Sequence, residues 1–137
     1  MDNIILIGMP GSGKSSVGVV LAKALGCRFL DADLLIQERE GALLQEILDR
    51  RGLEPFLDLE GEVLRSIRCR RTVIAPGGSC VCRAGAMEHL RSLGTVVYLQ
   101  LSLPEVEARI CNLATRGIAL APGQTIADVY EYRVPLY

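Results

Sequence analysis

No run of apolar residues in this chain is long enough to cross a membrane. A membrane helix needs roughly 18 in a row. The stretch IILIG at 4–8 is short, preceded by Asp2 and followed by glycines. It reads as a buried strand, not as a signal peptide or an anchor. Blocks of like charge are missing too. Net charge is −1, and RCRR at 68–71 is only locally basic, a balance that points away from nucleic acid and anionic membranes. Histidine is nearly absent, with His89 standing alone. The five cysteines (Cys27, Cys69, Cys80, Cys82 and Cys111) are odd in number and match no disulfide framework. CVC at 80–82 lacks the second Cys/His pair of a metal site. Reduced thiols in a cytoplasmic protein are expected. There is no internal repeat, linker or low-complexity segment.

What is present is a core. Half of the 137 residues are hydrophobic and 23% are charged, which suits one globular domain. NIILIG ends in a glycine loop, and residues 14–25 place Val17, Val20, Leu21 and Ala24 at helical spacing before Gly26. RFLDAD at 28–33 predicts a second strand, and residues 34–51 two helical segments broken near Gly41. Residues 58–69 are amphipathic, with Leu59, Val63 and Ile67 on one face. TVIAPGG at 72–78 is a third strand, followed by a helix around 84–93 and a fourth strand at 95–101. SLPE at 102–105 and TIAD at 125–128 carry the cap pattern of helix starts. The loop TRGIALAPGQ at 115–124 separates the two. Such alternation predicts a parallel sheet covered by helices on both faces. Ligands in such sheets sit at the carboxyl ends of the strands, where 8–15, 31–33 and 76–79 all fall.

GMPGSGKS at 8–15 fits G-x-x-x-x-G-K-[ST] between a strand and a helix. Gly11, Ser12 and Gly13 would turn backbone N–H groups toward phosphate oxygens. Lys14 would reach the β- and γ-phosphates of ATP, Ser15 would ligate Mg²⁺, and Ser16 would lie near the α-phosphate. In DAD at 31–33, alternation along an extended chain puts Asp31 and Asp33 on the same side. Asp31 would face the metal, and Asp33 the acceptor hydroxyl, orienting it or taking its proton. A solvated turn or a helix N-cap is the alternative for this pair. Gly77 and Gly78 in PGGS let a substrate approach the backbone, though a plain turn reads the same. Arg116 heads the 115–124 loop, a fitting place for a lid arginine over transferring phosphate. Arg133 in YRVPLY suits an anionic substrate group. For each of these lone arginines a surface role is the alternative.

Taken together, GMPGSGKSSVG (8–18), FLDAD (29–33), PFLDLEGEVL (55–64), APGGS (75–79), ATRG (114–117) and YRVPLY (132–137) resemble the shikimate kinase family over essentially the whole chain. The resemblance implies a three-layer P-loop kinase fold with a lid at about 113–124. It implies transfer of the ATP γ-phosphate to a hydroxyl of shikimate, as one step of aromatic amino acid biosynthesis. By position it makes Lys14, Asp33 and Arg116 catalytic, Ser15 and Asp31 metal-side, and Gly77, Gly78 and Arg133 substrate-binding. A last strand and helix of the family are expected to be absent from this chain.

Three positions depart from the pattern: Leu57 stands where the family's F-R-x-x-E motif has arginine, Ser79 replaces a third glycine, and Gly117 follows the lid arginine in place of proline. Losing one charge-assisted hydrogen bond of about 1.5–3 kcal/mol weakens binding of an acid by roughly ten- to a hundredfold. Arg65 lies two helical turns beyond Asp58, too far to substitute. The expectation is a monomeric kinase with ATP and Mg²⁺, acting on a small hydroxylated substrate. The same chemistry on another polyol or hydroxy acid, and a weak or inactive binding module of this fold, are the alternatives.

Overall fold

In the computed structural model, residues 3–9, 13–77, 79–109 and 125–137 are described. Four strands make one parallel sheet in the order β2-β3-β1-β4: β1 (Asn3–Ile7), β2 (Arg28–Asp31), β3 (Thr72–Ala75) and β4 (Gly94–Tyr98). β1 pairs Ile5 with Ile74 of β3 and with Val96 of β4. β1 is apolar without a break because both its faces are covered. Ile5 and Ile7 pack with Leu64, Ala86 and Leu90 on one face, and Leu6 packs with Ala22 and Val73 on the other.

Among the described residues the α-helices are α1 (Lys14–Leu25), α2 (Ala32–Glu40), α3 (Leu44–Arg51), α4 (Leu53–Arg65), α5 (Ala84–Leu93), α6 (Leu103–Arg109) and α7 (Ile126–Arg133). The break between α2 and α3 falls at Gly41, which closes α2 at φ 65°. α4 starts a full turn before the amphipathic stretch read at 58–69, so Leu57 lies inside the helix. Leu59, Val63 and Ile67 are all buried, as their spacing requires. Both cap patterns form. Ser102 exchanges bonds with Glu105, and Thr125 makes a complete capping box with Asp128.

The inward face of α1 corrects the sequence reading. Val17 and Val20 are exposed, and the buried positions are Lys14, Gly18 and Ala22. Valine spacing marks an apolar stripe, but Gly18 is what fits beneath the sheet. A Cβ there would sit 2.5 Å from the Phe29 ring. Packing distance overrode hydrophobicity.

Two further clusters frame the carboxyl end of the sheet. Ile36, Leu44, Ile47, Phe56 and Leu57 pack α2, α3 and α4 together. Met9, Val106, Ile126 and Val129 dock α6 and α7 over the loop that leaves β1. The Tyr130 hydroxyl donates to the Leu101 carbonyl at 3.0 Å, and Tyr137 stacks on Tyr98 with ring centroids 5.3 Å apart. These contacts fix the C-terminal end of α7, and with it Arg133.

Candidate active site

The site begins at the turn from β1 to α1. Gly13 stands ahead of α1 in the left-handed region, at φ 92°, a conformation glycine adopts without strain. Lys14 follows as the first residue of the helix and is buried. Its ammonium donates to the Gly8 and Met9 carbonyls, each at 2.9 Å. The lysine is thus held by the two residues that leave β1. Burial lowers the Lys14 ammonium to about 8, opposed by the negative charges of Asp33 and Glu60. Ser15 and Ser16 are exposed beside it. Gly11 and Ser12 lie outside the described residues.

β2 delivers the two aspartates, by a different route from the alternation expected of an extended chain. The strand ends at Asp31, and Asp33 already belongs to the first turn of α2. Asp31 Oδ1 accepts the Asp33 backbone N–H at 2.9 Å as the N-cap of α2. Its Oδ2 accepts from the Ser15 hydroxyl at 3.1 Å. Asp31 is thus a helix cap whose second oxygen meets the Ser15 hydroxyl. Burial, and then the Asp31 charge, raise the Asp33 carboxyl to about 6, against the pull of Lys14.

β3 ends at Ala75 and runs into Gly77. A Cβ on Gly77 would lie 2.6 Å from Glu60 Oε2 and 2.9 Å from Asp33 Oδ1. Two carboxylates thus converge on one backbone position that only glycine leaves open. Gly78 lies outside the described residues. The sequence reading did not single out Glu60 as a site residue. It stands in α4 one turn after Leu57, 3% exposed, and accepts the Ser79 hydroxyl at 2.5 Å. Burial raises its carboxyl to about 7, while the Ser79 hydrogen bond and the Arg133 and Lys14 charges oppose this. A glutamate on the buried face of α4, beside Leu57, Leu59 and Leu64, was the available signal. Ser79, noted only as a departure from glycine, is what satisfies that carboxylate.

Arg133 closes the site from α7. It is 3% exposed, and its charge is felt by Lys14, Glu60 and Cys80. Its charge also reaches the Cys82 thiol and the Tyr137 hydroxyl, opposing the rise that burial causes in both. Beyond Arg133 opens a cavity of about 210 Å³, lined in part by Leu53, Leu57, Arg83 and Tyr132. Leu57 lines this cavity together with Arg133. Arg65 points elsewhere, toward Gly61 and Gly85. Arg116 and the whole 113–124 segment lie outside the described residues.

Among the described residues, no group of three or more His, Cys, Asp or Glu could hold a metal ion, CVC included. Ser15 and Asp31 are a hydroxyl and a carboxylate in contact at the phosphate-loop edge. That donor set fits Mg²⁺, which takes oxygen ligands and keeps several waters. No helix among the described residues is long and apolar enough to cross a membrane.

Comparison with known proteins agrees with this geometry. A family model described as shikimate kinase matches residues 10–137. The shikimate kinase of Paracidovorax citrulli is 40% identical over 98% of this chain and 76% of its own length. That of Sulfurihydrogenibium sp. is 35% identical over 100% of this chain and 83% of its own. Among solved structures, the Acinetobacter baumannii shikimate kinase in complex with shikimate superposes with a TM-score of 0.88 at 34% identity, covering 100% of this chain and 78% of the other. The Aquifex aeolicus shikimate kinase gives 0.82 at 32% identity, covering 98% and 81%. On the family model and these relatives, the chain belongs to the shikimate kinase family.

Proposed function

We propose that this chain transfers the γ-phosphoryl group of ATP to a hydroxyl of shikimate. The observation that carries the reading is the convergence of Lys14, Asp33, Glu60 and Arg133 at the carboxyl ends of β1, β2 and β3. It supplies a cation for phosphate, a base for a hydroxyl and a buried guanidinium for a carboxylate, all in one cleft.

The chemistry follows from placement. In the free protein Lys14 holds its own loop carbonyls. With nucleotide bound, its ammonium turns to the β- and γ-phosphates, whose negative charge restores its full protonation. Ser15 and Asp31 would hold Mg²⁺, which would supply positive charge to offset that of the transferring phosphates. Asp33 accepts the hydrogen bond of the acceptor hydroxyl and orients its oxygen in line with the γ-phosphorus. The new O–P bond forms as the bond to the β–γ bridging oxygen breaks, and the hydroxyl proton passes to Asp33. A carboxyl raised to about 6 is ionised at neutral pH, yet basic enough to take that proton. Arg133 holds the acceptor carboxylate, and Glu60 holds Ser79 through its hydroxyl. Gly11, Ser12 and Gly13 cradle phosphate, Gly77 and Gly78 admit the acceptor, and Arg116 is assigned to the transferring phosphate.

The test is ADP release in a coupled assay with ATP, Mg²⁺ and a panel of small acids and polyols. Turnover dependent on shikimate, and abolished by Lys14→Ala, is expected. Turnover with another acceptor only would move the reading to that acceptor. No turnover with any would overturn it. Leu57, which lines the acceptor cavity, is the reason for the panel.

A further inference from the structure

Arg83 was no part of the sequence reading, yet it shares the acceptor cavity with Leu57 and Arg133. Its side chain is held along one stripe of α4. The stripe is Glu54, Asp58 and Gly61, spaced four and then three residues apart, the same-face spacing of a helix. A Cβ on Gly61 would touch the Arg83 stem at 3.4–3.5 Å, so glycine lets that stem lie close on the helix. Asp58 accepts from Nε at 2.9 Å and Glu54 from Nη2 at 3.1 Å. The Cys82 carbonyl accepts from Nη1 at 3.2 Å. The arginine is the more buried partner, with its side chain 30% exposed against 73% and 72% for the two carboxylates.

That asymmetry says what the pairs do. Ion pairs with mobile, solvated carboxylates contribute little to stability. They do fix the direction of a long cation, removing rotamer freedom before a ligand arrives. The neighbouring stripe of the same helix, Leu53, Leu57 and Glu60, forms the apolar wall of the cavity and then the buried carboxylate. The pocket therefore offers an anion two guanidiniums, Arg133 from α7 and Arg83 from the turn before α5, with the apolar Leu53 and Leu57 on its wall and Glu54 at Arg83.

We propose that Arg83 is a second carboxylate-binding arginine of the acceptor site, taking from the flank of α4 the role that Leu57 cannot fill. The proposal rests on the kinase reading above. It makes the acceptor a hydroxy acid rather than a neutral polyol. It also makes Glu54 and Asp58 competitors that the substrate carboxylate displaces in part.

The test uses initial rates with the full chain, varying shikimate and, separately, its carboxamide. Arg83→Ala should raise the KM for shikimate roughly ten- to a hundredfold, the loss of one charge-assisted contact, and leave the KM for ATP unchanged. The same variant should leave the KM for the carboxamide unchanged, because the charge it would meet is gone. Arg83→Lys should recover part of the loss, and adding Leu57→Arg to Arg83→Ala should restore affinity. Glu54→Gln with Asp58→Asn should lower the KM for shikimate. If Arg83→Ala moves the melting temperature but neither KM, or moves both acceptors equally, Arg83 is structural and the proposal fails. If the unmodified chain turns over neither acceptor, the kinase reading itself fails, which separates the two outcomes.

Discussion

At the scale of single residues, two buried carboxyls and one buried ammonium decide the pH behaviour. Asp33 must be ionised to accept a proton and titrates near 6. Lys14 must be charged to receive phosphate and titrates near 8 in the free protein. A profile of kcat/KM for ATP reports the free enzyme. It should rise through about pH 6, level off near 7 and fall above about 8. Asp33→Asn should remove the acid limb and cut kcat by roughly 10²–10⁴-fold, with nucleotide affinity nearly unchanged by titration calorimetry. Loss of nucleotide binding in that variant would make Asp33 structural.

Glu60 gives a stability prediction of definite sign. Its carboxyl moves from an ordinary 4.5 to about 7 on folding. Between those values the folded chain holds the proton that the unfolded chain has released. Stability from this group is therefore present below about pH 4.5 and lost as pH rises through 7, by something on the order of 3 kcal/mol. Glu60→Gln should remove that slope from urea unfolding measured at pH 4.5, 6 and 8. Parallel curves for the two proteins would contradict the buried-carboxylate account.

At the scale of elements, legibility followed the range of the cause. The cap patterns, the break near Gly41 and the span of α1 depend on neighbours in sequence, and all formed. The buried side of α1 did not follow from its valines, because it is set by Phe29 in another strand. The Asp31–Asp33 pair was found for the wrong geometric reason, since a helix begins between them and a cap replaces strand alternation. Glu60, Ser79 and Arg83 were not singled out from the sequence because each finds its partner about twenty or more residues away. Gly18 supplies the test at this scale. Glycine to alanine in a helix interior normally stabilises by about 0.5–1 kcal/mol. Here the added methyl meets a ring at 2.5 Å, so Gly18→Ala should destabilise by about 1–3 kcal/mol in chemical denaturation. A gain would mean that Phe29 has room to move.

At the scale of the whole molecule, the site depends on parts drawn from both ends of the chain. The phosphate loop follows β1, the carboxylates come from α2 and α4, and Arg133 arrives on α7, held by Tyr130 and the Tyr137–Tyr98 stack. The fold class was readable from ordered motifs, and so were Lys14, Ser15, Asp33 and Arg133 as candidates. Arg83 was not, because its place beside Leu57 and Arg133 is set by Glu54 and Asp58 on α4. The most direct measurement of the central claim is a phosphorus NMR time course of ATP, Mg²⁺ and shikimate with the full chain. A new phosphomonoester resonance growing one for one with ADP, and absent with Lys14→Ala, is the expected result. ATP left intact, or consumed only to inorganic phosphate, would contradict the account.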